Sequence, residues 1–259
     1  MKSVELLVFC IGFVGLVAIS QVTAATDYCD KALCGKAEHI ACNNTGEFAT
    51  TCSSDKKLIK ISPDFRRAMV KQHNKLRNQL ASGDMKPFEP SPRMASMQWN
   101  NELADLAELN VKTCKFAHDA CHNTKNFSTS GQNIAITWSS DPIESQAESI
   151  ILSMIDSWWA EKNETSMKEI NSYPENFEHV IGHFTVMAVE ENNRMGCAAS
   201  SYRDPEQENW FTILYTCNYA KTNIFDRSIY STGKSASKCT SGVNPNFKSL
   251  CAQKEVYGK

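Results

Sequence analysis

At 259 residues the chain has room for one large domain or two small ones, and 42% hydrophobic residues give it material for a sizeable core. Its formal charge is only −2, with 27 basic and 29 acidic residues mixed along the sequence. No basic block is present, which argues against a nucleic-acid partner and against attachment to an anionic membrane.

Residues 1–24 read as a secretory signal peptide. Lys2 lies in the short n-region, Leu6 to Ile19 is apolar, and Val22-Thr23-Ala24 supplies small residues for cleavage. The apolar run is too short to anchor the chain, and nothing later resembles a second one, so no membrane span is expected. Eleven cysteines occur, and Cys10 leaves with the leader. The remaining ten are Cys29, Cys34, Cys42, Cys52, Cys114, Cys121, Cys197, Cys217, Cys239 and Cys251. An even set in an exported chain implies disulfides and an oxidising destination. No C-x-x-C pair points to a thiolate metal site instead. Asn43, Asn126 and Asn163 open Asn-x-Ser/Thr sequons, which makes them candidate glycan sites on the surface.

Residues 25–61 are polar, lack apolar periodicity and carry four cysteines, so they read as an N-terminal arm stapled by disulfides. A first helix starts at Ser62-Pro63-Asp64, with a capping serine, a proline suited to the first turn and an acid at the positive end. Phe65, Met69, His73, Leu76 and Leu80 recur at helical spacing, and Gly83 stands where a C-cap belongs. Three prolines make Lys86 to Arg93 a loop. A second helix is predicted over about Asn100 to Cys114, then a loop over Cys114 to Gln132 holding His118 and His122. A third helix runs from about Ile143 to Lys162, opened by Asp141-Pro142. Asn171 to Asn176 is loop, and Phe177 to His183 is read as a short helical segment.

Two apolar runs follow. Phe184 to Val189 and Trp210 to Tyr215 are rich in aromatic and β-branched residues, bounded by turn residues, and read as buried strands. Cys197 and Cys217 fall on neighbouring strands, with His183 at the mouth of the sheet. The tail beyond residue 230 closes on Cys239 and Cys251. Helices early and strands late, with little alternation, indicate an α+β fold or a three-layer α/β/α sandwich. The domain boundaries expected are 25–61 for the arm, 62–230 for the main domain and 231–259 for the tail.

Four motifs stand in order: His73-Asn74-Lys75-Leu76-Arg77, Gly131-Gln132-Asn133-Ile134, Gly182-His183-Phe184-Thr185 and Cys217-Asn218-Tyr219. Together they resemble the CAP superfamily of cysteine-rich secretory, antigen 5 and pathogenesis-related proteins. The cysteine-bearing arm and His118-Asp119-Ala120-Cys121 match the antigen 5 group of insect venom and saliva best. The resemblance implies an α/β/α sandwich and the pairs Cys29–Cys42, Cys34–Cys121, Cys52–Cys114 and Cys197–Cys217, leaving Cys239 with Cys251. It also implies a cleft of two histidines and two acids that holds a divalent metal, zinc or copper, in some members. The histidines map to His118 and His183 and one acid to Glu161. The other falls on Gln132, which cannot ionise and so removes one negative charge. Val186 and Val189 replace a Gln and a Trp common in relatives, and Ala220 to Asn223 lacks the usual Gly-Pro.

Two further histidines have plainer roles. His179 lies four residues before His183 but lacks the following Glu of a metalloprotease helix and is assigned to the surface. His73 is assigned to helix packing, and one of Trp158 and Trp159 to the core. No G-x-S-x-G occurs, and no catalytic residue is assigned. The expected function is a secreted, non-enzymatic binder of a host protein, lipid or small mediator, met by host antibodies as an allergen. The alternative is a zinc or copper hydrolase or redox enzyme using His118, His183 and Glu161.

Overall fold

The computed structural model describes residues 26–176, 178–204 and 210–258. The leader expected at residues 1–24 lies outside them, as does Phe177. The elements in order are α1 (Lys31–Cys34), β1 (Lys57–Leu58), α2 (Pro63–Ser82), β2 (Gln98–Trp99), α3 (Asn101–Val111) and β3 (Gly131–Ser139). A 3-10 turn (Glu144–Gln146) then leads into α4 (Ala147–Ala160), a second 3-10 turn (Glu161–Glu164), α5 (Met167–Asn171), α6 (Gly182–Ala188), β4 (Arg194–Arg203) and β5 (Phe211–Tyr219).

Local chemistry accounts for most boundaries. The Ser62 hydroxyl accepts from the Phe65 amide at the start of α2, and Gly83 ends that helix in the left-handed region at φ 81°. Asn100 caps α3 in the same way, through the Leu103 amide. That helix stops at Val111, short of the predicted Cys114, which takes φ 53° and is bonded to Cys52 in the arm.

The reading of residues 184–189 as a strand is wrong. Gly182 to Ala188 is helical, and Phe184 to Ala188 are all buried. A run buried on every side carries no period, so strand and helix look alike in the sequence. Val186 therefore lies on α6 and Val189 is its C-cap; neither is in a strand. The segment before it, 178–181, is not helical. A strand was also missed: Gly131 to Ser139 pairs along its whole length with β5.

The sheet order is β1-β4-β5-β3, antiparallel throughout, with β2 added parallel to β4. Cys197 lies directly opposite Cys217 across β4 and β5, and the two are bonded. Helices α2, α4 and α6 pack together on one face over a core that includes Met69, Ile155, Phe184 and Tyr215. Helix α3 covers the other face through Ala107 and Val111, against Ile134, Ala198 and Leu214. This is a three-layer α/β/α sandwich. Gly196 on β4 marks how closely α3 approaches. A Cβ there would run into the backbone of Asn100, Leu103 and Ala104.

Arg77 fastens the α2 layer. Its side chain is fully buried, and its guanidinium donates to the carbonyls of Ala95, Met187, Val189 and Glu190. His73, one turn earlier, is equally buried. Its Nδ1 donates to the Met69 carbonyl, and its Nε2 accepts from the Tyr219 hydroxyl. It is a packing residue.

The disulfides are Cys29–Cys42, Cys34–Cys121, Cys52–Cys114, Cys197–Cys217 and Cys239–Cys251. Two of them tie the arm to the two ends of the 114–121 loop. Hydrogen bonds reinforce that seam: the Ile40 amide donates to the Cys121 carbonyl, and His39 Nε2 donates to the Asn123 carbonyl. Burial lowers the His39 pKa, so the ring is held neutral with Nδ1 accepting from the Ala41 amide. The tail is anchored by Glu255. Its carboxylate accepts from the Thr240 and Ser241 amides, the Thr240 hydroxyl and the Arg93 guanidinium. Asn43, Asn126 and Asn163 are all exposed. Among the described residues no helix is long and apolar enough to cross a membrane.

Candidate functional site

The loop before β3, the strand itself and the start of α6 meet around an open cleft of about 390 Å³. His118, His122 and Gln132 line one side; Tyr173, Val180 and His183 line the other. The two histidines singled out in the sequence therefore face a common space. His179 does not join them: its side chain is exposed and approaches only Glu164 at 3.7 Å.

His183 is the second residue of α6 by more than register. Glu161, in the 3-10 turn after α4, stands behind it and accepts from its Nδ1 at 2.5 Å. The other carboxylate oxygen accepts from the His183 and Phe184 amides at 2.9 and 3.1 Å. Glu161 thus satisfies the otherwise open amides at this helix start and orients the imidazole in one motion. The ring is also stacked on Trp158, centroids 5.9 Å apart and planes 12° from parallel, and Trp158 stacks on Tyr215. Both Trp158 and Trp159 are buried, so the pair belongs to the core and one member of it also walls the site.

On the opposite side His118 Nδ1 donates to Gln132 Oε1 at 2.8 Å. Gln132 is buried, and its amide nitrogen donates to Asp119 and Asn218. Asp119 was not singled out in the sequence as a site residue, and neither was its partner His122, whose Nδ1 donates to it at 2.5 Å. Burial alone would raise the Asp119 carboxyl. Hydrogen bonds and charge from His122, with hydrogen bonds from Gln132 and Asn110, outweigh this and hold it below the usual carboxylate range. The site therefore keeps the negative charge that Gln132 does not supply, one residue along from His118. The one sequence signal was spacing: Asp119 and His122 flank Cys121, whose disulfide holds the loop against the arm.

His118 and His183 thus have Nδ1 committed to an acceptor, which leaves Nε2 as the nitrogen with a lone pair. A histidine ligand in a metal site has the same arrangement, its second nitrogen held by a carboxylate or carbonyl. The donors fit a d-block ion held by two imidazoles, with other positions left to water or a ligand. Among the described residues no group of three or more His, Cys, Asp or Glu side chains is placed to hold an ion. Glu161 is spent on His183 and α6, not aimed at the cleft.

The mouth of the cleft is apolar. Val180 is 61% exposed and Phe225 51%, the latter stacked on Tyr173 with parallel rings. Ile224, next in the chain after the cleft-lining Asn223, is exposed too and lines the adjoining depression that shares Thr222 and Asn223 with the cleft.

Comparison with known proteins bears on what this arrangement serves. The CAP family, described as the cysteine-rich secretory protein family, matches residues 70–219. "Venom allergen-1" of Aedes aegypti is 33% identical over 92% of this chain and 95% of its own length. "Antigen 5 like allergen Cul n 1" of Culicoides nubeculosus is 34% identical over 82% of this chain and 96% of its own. The solved structure of BmVAL-1 shares the fold with a TM-score of 0.62, at 24% identity, covering 76% of this chain and 97% of that one.

Proposed function

This chain belongs to the CAP family of cysteine-rich secretory proteins, and from that membership we propose that it acts by binding, with a host protein held at the mouth of its cleft. Relatives named venom allergen and antigen 5-like allergen, together with five disulfides, make it an extracellular protein of the venom-allergen type. The observation that carries the binding reading is the rim of Val180, Ile224 and Phe225. Large apolar side chains exposed together beside a polar cleft mark an interaction surface more often than they occur by chance. Host antibodies raised against an allergen are a second class of protein partner.

The test uses host blood plasma passed over the immobilised protein, with the retained protein identified and its affinity measured. Val180→Asp/Ile224→Asp should weaken that affinity about tenfold or more, because a charge would be placed in an apolar contact. Equal affinity would move the contact elsewhere. A bound lipid extracted from the purified protein would favour a lipid over a protein as the occupant.

A second reading has its own observation, the pair of imidazoles with Nδ1 held and Nε2 left over. His118 and His183 would hold zinc or copper weakly, and such an ion would supply a Lewis acid or, for copper, a redox centre. Calorimetry at neutral pH should show zinc uptake by the wild type that vanishes in His118→Ala/His183→Ala. Uptake unaffected by those substitutions would leave both histidines as structural groups.

A further inference from the structure

We infer that Asp119 and Asn218 are positioning residues: through the Gln132 amide they fix His118 in the Nδ1–H tautomer, with its Nε2 lone pair directed away from the network. The inference deepens the metal reading and rests on it only for its second readout.

The argument is one of hydrogen-bond direction. The Leu103 carbonyl can only accept. Asn218 Nδ2 donates to it at 3.2 Å, which leaves Asn218 Oδ1 turned toward Gln132. Gln132 Nε2 donates to that oxygen at 2.9 Å, and its other hydrogen goes to Asp119 Oδ2 at 2.6 Å. The Asp119 carboxylate is likewise acceptor-only, and it also receives His122 Nδ1 and Asn110 Nδ2. Two independent acceptors therefore claim both hydrogens of the Gln132 amide. Its oxygen is left facing His118 Nδ1 at 2.8 Å. An amide oxygen donates nothing, so the hydrogen between them sits on His118.

Gln132 is thus no defect in a site that elsewhere carries a glutamate. It is the residue this network requires. A glutamate side chain in its place would set one carboxylate oxygen 2.6 Å from Asp119 and 2.9 Å from the Asn218 Oδ1 acceptor, with like charges in contact. Exchanging the two chemistries, Asp119→Asn with Gln132→Glu, removes the like-charge contact and restores the donor–acceptor pair between these two residues, while the new carboxylate still faces Asn218 Oδ1. The amide then stands on the loop and donates to a carboxylate on β3, and that carboxylate accepts from His118.

Nitrogen-15 NMR of the imidazoles in the metal-free protein, at about pH 8 where an ordinary imidazole is neutral, reads the tautomer directly. The wild type should show His118 with Nδ1 protonated and Nε2 bare. Gln132→Leu should give a mixture of both forms. Gln132→Glu should lower Tm and disturb the His118 signals, and Asp119→Asn/Gln132→Glu should recover part of both, the contact with Asn218 Oδ1 remaining. A wild-type His118 protonated on Nε2, or a double variant no better than Gln132→Glu, overturns the inference. For zinc, Gln132→Leu should lose about 10- to 100-fold in affinity by calorimetry. Equal zinc affinity in wild type and Gln132→Leu would sink the relay and leave the metal reading standing. No zinc uptake by the wild type would sink the metal reading, and the tautomer result would then decide the relay alone.

Discussion

Replacing Arg77 with methionine should cost on the order of 2–3 kcal/mol of folding free energy, seen as a lower urea midpoint at unchanged slope. The guanidinium joins four carbonyls from two separate segments, Ala95 on one side and Met187, Val189 and Glu190 on the other; the Val189 and Glu190 oxygens also accept from the Asn192 and Ala95 amides. Methionine fills most of the volume but leaves the Ala95 and Met187 oxygens without that donor, at about 1 kcal/mol or more each, and takes a second donor from the other two. Burial lowers the Arg77 pKa to about 10, so the group stays charged at neutral pH, balanced by carbonyl dipoles and not by a contacting carboxylate. Lysine should recover only part of the loss, because an ammonium cannot fork between two segments as a guanidinium does. Since three of the carbonyls lie at the end of α6, the His183 signals should broaden or shift in Arg77→Met. A midpoint within about 1 kcal/mol of wild type would show that water or a local rearrangement replaces the clamp.

Acid should destabilise the protein in two successive windows. His73 is buried and neutral, and burial lowers its pKa from 6.5 to about 4. Between those values the unfolded chain binds a proton that the folded chain refuses, so stability falls as pH falls through this range. At 1.36 kcal/mol per unit, the loss approaches about 3 kcal/mol by the lower end. Glu255 extends the trend. Burial opposes its charge, but bonds from Thr240, Ser241 and Arg93 prevail and push its pKa from 4.5 down to about 2. Its contribution is complete above the unfolded value and is lost as pH falls from 4.5 toward 2. Urea midpoints of wild type and His73→Gln, compared from about pH 7 to about pH 4.5, isolate the first window. The variant should show the flatter curve; parallel curves would remove His73 as the source.

Much of the fold is legible where one residue type has one physical job. Ser62, Pro63 and Gly83 bracket α2 as their chemistry dictates, and the Met69–His73–Leu76–Leu80 stripe is the buried face. Cys197 and Cys217 do face each other on adjacent strands, although neither lies within the apolar runs 184–189 and 210–215 read as strands. Legibility fails where burial is complete. In α6 every residue from Phe184 to Ala188 is inside, so packing against α2 and α4 chose the helix and no local pattern records it. The candidate site divides the same way. His118 and His183 stand out by type and motif, but the groups that direct them do not. Asp119 is one exposed-looking acid in a polar loop, and Asn218 is 86 residues from Gln132, whose amide it receives.

The arm changes how the cleft comes into being. Residues 114–121, which carry His118, are tied at one end to Cys52 and at the other to Cys34. The sandwich core is built of helices and sheet, and the wall of the cleft is complete only when both cross-links to the arm have closed. Completion of the site is therefore an oxidative step that needs a compartment able to close disulfides. A chain made in a reducing cytosol would lose the fixed placement of His118, one of the two histidines that face each other across the cleft. Residues 26–61, which add little to the core, act as a brace that turns a loop into a wall.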